Sequence, residues 1–348
     1  MAEITLNWRR FMIVFGVLCC MGIIARIIYI SLVAVLINRL SPRTPRNGLQ
    51  DIVKSWKEPD GSDAYRFPWP EDFSRDIVPE ACHSHNDYWR KVPLYEALAA
   101  GCVSIEADIW LEGNDLLVGH VKKVLKSSRT LRTLYIDPIV NILSNRNVSN
   151  TSEPIKEVGI FETDPNAAVI LMLDFKTDGH DLWPVVLSQL EPLRQKGWLT
   201  YFNGIDIVPG PITVVGTGNT PFDLVVANST YRYLFFDAPL LDISNSSYTV
   251  QNSYYASTAL KPAIGRIWLR GLSRGQVNAM KIQIKAAGAK GLKSRYWDTP
   301  AWPISLRDKA WNTLVENGVG MLNIDDLISA TRWNWDRCVV AGLTLCGA

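Results

Sequence analysis

Two of the chain's four histidines stand two residues apart in ACHSHNDYWR, residues 81–90, as His83 and His85, with Asn86 and Asp87 directly after them. Farther on, EAD sets Glu106 and Asp108 at the same spacing, LLVGH supplies His120, and LDFK supplies Asp174 and Lys176. Alternate residues of a strand face the same way, so each pair presents its two side chains together. Glu106 and Asp108 are flanked by Ile105, Ala107, Ile109 and Trp110, the mark of a buried strand. Buried carboxylates require a metal, a cation or several donors. Three carboxylate donors suit a hard divalent ion, Mg2+ or Ca2+. Histidines beside such an ion suit proton transfer near neutral pH, and a lysine neutralises developing negative charge. These parts are suited to opening a phosphodiester: one histidine takes the proton of the attacking hydroxyl and the other gives one to the leaving oxygen.

Taken singly, each motif has a plainer reading: HxH as a structural hydrogen-bonded pair, ExD as a solvated face, DFK as an ion pair. Their joint placement at strand ends carries the chemical reading. Strands are expected in IVPEACHSH, VSIEADIWL, AAVILMLDFK, PITVVGTG, YLFFDAP, GRIWL, KGLKSRYW and GVGMLNIDD. Amphipathic helices lie between several of them: PLYEALAAG, HDLWPVVLSQLEPLRQKG, SRGQVNAMKIQIKAAGA and SLRDKAWNTLVENG. Strands alternating with helices predict an α/β fold, a (β/α)8 TIM barrel, whose usual size is about 250 residues and whose catalytic groups sit at the C-terminal strand ends. A doubly wound open sheet is the alternative, but the chain has no GxGxxG or GxxxxGK[ST] loop to favour it.

The N-terminus is of another kind. FMIVFGVLCCMGIIARIIYISLVAVLI, residues 11–37, carries Arg26 as its single charge and exceeds the roughly 20 apolar residues that span a bilayer. It is expected to be one retained transmembrane helix, with a cleaved signal or a mitochondrial targeting segment as alternatives. The organisation expected is a tail at 1–10, the anchor at 11–37, a linker at 38–77, the barrel at 78–335 and a tail at 336–348. Acceptor sequons at Asn147, Asn150, Asn228 and Asn245 favour glycosylation and a lumenal or extracellular barrel. Of six cysteines, Cys19 and Cys20 fall in the apolar segment, and Cys82, Cys102, Cys338 and Cys346 lack the paired spacing of a zinc site. In an oxidising compartment Cys82 with Cys102, or Cys338 with Cys346, is a possible pairing. A net charge of +2 and the absence of a basic run exclude a nucleic-acid surface as partner.

HSHNDY, GCVSIEADIWL, LLVGH, RTLRTLYIDPIVNIL, LMLDFKTDG and GVGMLNIDDL together resemble the fungal altered-inheritance-of-mitochondria protein six family over residues 78–330. That family is grouped with the phospholipase-C-like phosphodiesterase barrels, alongside glycerophosphodiester phosphodiesterases and sphingomyelinase D toxins. The resemblance implies a barrel of that type. It places the first catalytic histidine on His85 or His83, with His85 favoured, and the second on His120. It places the metal ligands on Glu106, Asp108 and Asp174, and the lysine on Lys176. It also implies attack by a hydroxyl within the substrate, giving a cyclic phosphate. The HRG and ENT motifs of the glycerophosphodiesterases and the toxins' C-terminal motif are absent, so a glycerophosphodiester or lysophospholipid-like substrate is an expectation of class alone.

Two other readings compete. A metal-dependent amidohydrolase also places HxH on its first strand but needs further histidines, and His180 in DGHDLW sits at a helix start. A barrel without turnover that binds a lipid headgroup or a protein is the non-enzymatic alternative. Asn86, Trp297 and Asn323 are expected to contact substrate, the last with a helix cap as the alternative. Tyr88, Trp89, Trp110 and Trp302 are read as cleft lining or rim packing.

Overall fold

The computed structural model describes residues 2–40, 46–61, 63–146, 159–269, 271–332, 339–340 and 343–344. Among these, eight parallel strands close on themselves: β1 (Glu80–Ser84), β2 (Cys102–Glu112), β3 (Val169–Phe175), β4 (Ile212–Gly218), β5 (Leu234–Pro239), β6 (Ser253–Ala259), β7 (Lys293–Trp297) and β8 (Met321–Ile324). Each pairs with its neighbours in sequence. β1 completes the ring by pairing with both β2 and β8, with His83 opposite Ser104 on one side and Asn323 on the other.

Strand alternation divides the buried residues into two groups. Ile105, Ala107 and Ile109 of β2 and Leu171, Leu173 and Phe175 of β3 point outward into one large core shared with the surrounding helices. Residues of the opposite parity, Ile170, Met172, Val215, Tyr255 and Met321, form a separate small apolar cluster. One step further toward the C-terminal strand ends, the same faces carry His83, Glu106, Asp108, Asp174, Thr217, Asp237, Arg295 and Asn323. A dry plug therefore lies beneath a polar layer, which is the arrangement that lets a barrel hold charges at its mouth.

The helices follow their signals. Tyr95–Ala100 stops at Gly101, whose φ of +94° favours glycine and whose missing Cβ leaves room for the Val78 carbonyl. Arg274–Ala289 opens on a capping box between Ser273 and Gln276. A short strand, Asp115–Val118, folds back antiparallel on β2 and returns the chain to the barrel mouth at His120.

Two sequence expectations require correction. The segment GRIWL, residues 265–269, is not a barrel strand: Trp268 and Leu269 project into solvent from the loop between Leu260–Ile264 and Arg274–Ala289. The sixth strand is SYYASTA. Its small inner residues escaped an apolar-run criterion because they leave space for Arg295, whose Nε donates to Ser257 Oγ at 3.0 Å. The second correction concerns residues 46–77, read as linker. Helix Gly48–Ser55, capped by Asn47, and the segment after it bury Leu49, Ile52, Phe73 and Ile77 in the outer core. Two helical turns and an irregular, proline-rich packing segment have too little periodicity to announce themselves.

Cys82 and Cys102 form a disulfide that staples β1 to β2. Cys338 and Cys346 lie outside the described residues. The N-terminal unit is the helix Ala2–Leu40, whose stretch Trp8–Leu36 is long and apolar enough to cross a membrane.

Candidate active site

The register of β2 and β3 sets Asp108 directly opposite Asp174, with Glu106 two residues back on the same face. Ligand oxygens of the three carboxylates lie within 4.8 Å of one another. Lys176 Nζ reaches Asp174 Oδ2 at 2.5 Å and Asp108 Oδ2 at 3.0 Å, and these acids raise its pKa against the opposing effect of burial. Gly218 makes room for Asp174: its φ is +63°, and a Cβ there would collide with Asp174 Oδ1.

One lysine against three acids leaves negative charge uncompensated. Burial, followed by the charge of Glu106, pushes the Asp108 carboxyl up to about 6 despite Lys176. Asp108 Oδ1 is buried without a hydrogen-bond partner among the described residues. A converging oxygen cluster with an orphaned lone pair and surplus negative charge fits a hard divalent cation held by Glu106, Asp108 and Asp174.

The two histidines of β1 are placed differently. His83 is wholly buried, with Nδ1 2.7 Å from Ser104 Oγ and Nε2 3.2 Å from Glu106 Oε2. Burial, then the nearby Arg295 charge, lowers its pKa to about 4, so the ring is neutral at ordinary pH. Tyr255 donates to Ser104 at 2.9 Å, and the chain Tyr255–Ser104–His83 holds Glu106 from below. Burial alone would raise the Glu106 carboxyl. The His83 hydrogen bond and the charges of His85 and Arg295 act against it and hold the group below the usual range. His83 thus bonds to an acid from a wholly buried position and is not among the residues that line the cavity.

His85 does reach the cavity. Its Nδ1 lies 2.8 Å from Asp325 Oδ1 and its Nε2 3.9 Å from Glu106 Oε2. Burial disfavours the charged ring, but the Asp325 hydrogen bond and the Glu106 charge prevail and raise its pKa. His120 enters from the β2 hairpin. The Gly119 amide donates to the Asp108 carbonyl at 3.1 Å, and Trp110 Nε1 donates to the Gly119 carbonyl at 2.6 Å, fixing the turn that carries the histidine. His120 Nδ1 stands 3.3 Å from Asp108 Oδ2, and its ring lies 4.9 Å from that of Trp89. Both histidines line a cavity of about 520 Å3, together with Asn86, Trp89, Trp297, Asp298 and Asp325.

Three participants escaped the sequence reading. The Tyr88 hydroxyl donates to Asp108 Oδ2 at 2.7 Å and stands 3.2 Å from His120 Nδ1. Asp325 is the His85 partner, and only its place in NIDD at the last strand end marked it. Arg295 of β7 is buried among Asp237, Ser257 and Asn323. Asn323 itself accepts from Arg295 Nη1 at 2.7 Å and is not among the cavity-lining residues. His180 lies exposed beside Asp223, 3.1 Å away and outside the cavity. Asn228 and Asn245 are exposed; Asn147 and Asn150 lie outside the described residues.

The profile of the AIM6-like phosphodiesterase domain matches residues 71–237. The altered inheritance of mitochondria protein 6 homolog of Arthroderma benhamiae is 43% identical over 283 residues, 78% of this chain and 88% of that one. Altered inheritance of mitochondria protein 6 of Eremothecium gossypii is 36% identical over 75% of this chain and 71% of its own length. The Saccharomyces cerevisiae protein of that name, strain RM11-1a, is 33% identical over 74% and 72%. A solved glycerophosphodiester phosphodiesterase from Parabacteroides distasonis aligns with a TM-score of 0.41 at 10% identity, covering 72% of this chain and 94% of that one.

Proposed function

Since the chain belongs to the altered inheritance of mitochondria protein 6 family, whose profile describes a phosphodiesterase-like domain, we propose that it is a metal-dependent phosphodiesterase acting on a glycerophosphodiester or lysophospholipid-like substrate. The observation that carries this reading is the convergence of Glu106, Asp108 and Asp174 within 4.8 Å between two cavity-facing histidines. Glu106, Asp108 and Asp174 would hold a divalent Mg2+ or Ca2+ ion, which when bound would supply positive charge for the anionic oxygens of the phosphoryl group. Lys176 adds a fixed charge on the same side. His85 directs Nδ1 to Asp325 and leaves Nε2 toward the cavity, a geometry suited to taking a proton from the attacking hydroxyl. His120, half-exposed across the cluster, is placed to return a proton to the leaving oxygen. Trp297 and Asn86 form the wall against which the rest of the substrate rests.

The Trp8–Leu36 helix is read as a single-pass anchor. The Cys82–Cys102 disulfide and the exposed acceptors Asn228 and Asn245 support a lumenal or extracellular barrel, since disulfides persist in oxidising compartments.

The test is turnover by the full chain on a panel of phosphodiesters, with added Mg2+ or Ca2+ or with chelator, beside His120→Ala. Phosphodiester cleavage that requires the ion and His120 supports the reading. Cleavage indifferent to both, or none across the panel, contradicts it.

A further inference from the structure

The loops around the catalytic cavity expose large apolar side chains that no fold requirement explains. Trp89, after β1, is 63% exposed; Trp268 and Leu269, after β6, are 67% and 72% exposed; Trp302, after β7, is 76% exposed. These residues come from three separate loops. In a barrel of parallel strands the loops that follow the strands emerge at one face, the face that carries the cavity. The connection after β6 also packs on the helix that follows β7, for Gly271 lies against the side chain of Lys309 within Ile304–Glu316. After the β2 hairpin, Val121 and Val124 are exposed as well, with Lys122 and Lys123 between them. Arg266 lays its guanidinium 4.9 Å from the Trp268 ring.

We propose that this rim docks onto the surface of a phospholipid bilayer. Tryptophans with adjoining cations are the side chains that settle at a headgroup boundary, where the ring is partly dehydrated and the cation meets phosphate. The cations beside the exposed aromatic and apolar side chains are Arg266, Lys123 and the Glu112-paired Lys122, and they would meet lipid phosphate outside the opening, where Glu96, Asp298 and Asp325 are acidic. A protein seated on the same rim would stopper the cavity it encircles, whereas a bilayer both covers the rim and delivers an acyl-bearing phosphodiester to the opening. That last point rests on the phosphodiesterase reading; the docking itself rests on exposure, placement and charge.

The experiment reads lipid contact directly and not turnover, so its failure is distinct from failure of the phosphodiesterase reading. The full chain is reconstituted in vesicles of phosphatidylcholine and phosphatidylserine, with or without brominated acyl chains that quench tryptophan emission on contact. Emission contributed by Trp268 and Trp302 is obtained by subtracting the spectrum of the Trp268→Phe/Trp302→Phe variant, a change that preserves shape at two exposed positions. Docking predicts that this difference emission loses most of its intensity in brominated vesicles, and that Leu269→Glu restores it. An equal thermal midpoint shows that Leu269→Glu remains folded. Difference emission that is not quenched, or quenching untouched by Leu269→Glu, overturns the proposal.

Discussion

The two walls of the barrel mouth are built from similar residues and do opposite things. On the wall formed by β5 to β8, Arg295 faces Asp237 at 3.3 Å and also donates to Ser257 and Asn323, so one guanidinium answers one carboxylate. On the wall formed by β2 and β3, three carboxylates converge and Lys176 pairs with two of them, Asp108 and Asp174. Asp237 Oδ1 on one wall and Asp108 Oδ1 on the other are both buried without a hydrogen-bond partner among the described residues. An orphaned oxygen alone therefore does not distinguish a site from a scaffold. The charge count does: one wall pairs its carboxylate with a guanidinium, and the other carries surplus negative charge that a cation would offset.

This contrast sets the order of expected effects. On the unbalanced wall, Glu106→Gln or Asp174→Asn should lower phosphodiester turnover about 10^3-fold, the scale on which a lost electrostatic stabiliser acts, while the thermal midpoint stays level or rises. His120→Ala should cost about 10^2- to 10^4-fold in kcat with the fold intact. On the balanced wall the loss should fall on stability. Arg295→Met leaves Asp237 buried and unpaired and should cost about 3–5 kcal/mol in denaturant unfolding, with much of it recovered in Arg295→Met/Asp237→Leu. If Arg295→Met leaves stability unchanged and abolishes turnover, the division between the walls is wrong.

Smaller effects sharpen the picture. Reducing the Cys82–Cys102 disulfide, which closes a separation of 20 residues, should remove about 3 kcal/mol, read as a shift of the unfolding midpoint. The pH dependence of the metal-free chain carries a sign. Asp108 has a folded pKa of about 6 against 3.8 for the free side chain, so its stability penalty is complete above 6 and fades as pH falls toward 3.8. Proton and cation compete for that carboxylate. Stabilisation by added Mg2+ or Ca2+ should be largest above pH 6 and decline below it, a trend that melting curves at several pH values would follow.

The sequence made the wall formed by β2 and β3 legible because strand alternation ties residue spacing to direction: Glu106 with Asp108, and Asp174 with Lys176, had to share faces. The barrel was legible for a related reason, with seven of its eight strands carrying apolar runs. β6 was not, because SYYASTA trades branched side chains for the space Arg295 occupies. Nor was the wall formed by β5 to β8, since Arg295, Asp237 and Asn323 come from three strands and only closure of the barrel brings them together. Periodicity along one strand is silent about partners across the ring. The difference between His83 and His85 was equally hidden: both share a face, and depth separates wholly buried His83 from His85, which lines the cavity.

The central claim is that Glu106, Asp108 and Asp174 together hold one divalent ion. Calorimetric titration of Mg2+ or Ca2+ into the chelator-treated full chain, beside Glu106→Gln and Asp174→Asn, tests it most directly. The account predicts one saturable site in the wild-type chain that both substitutions abolish or weaken strongly. Wild-type chain that takes up neither ion, or variants that bind as tightly as wild type, would contradict it.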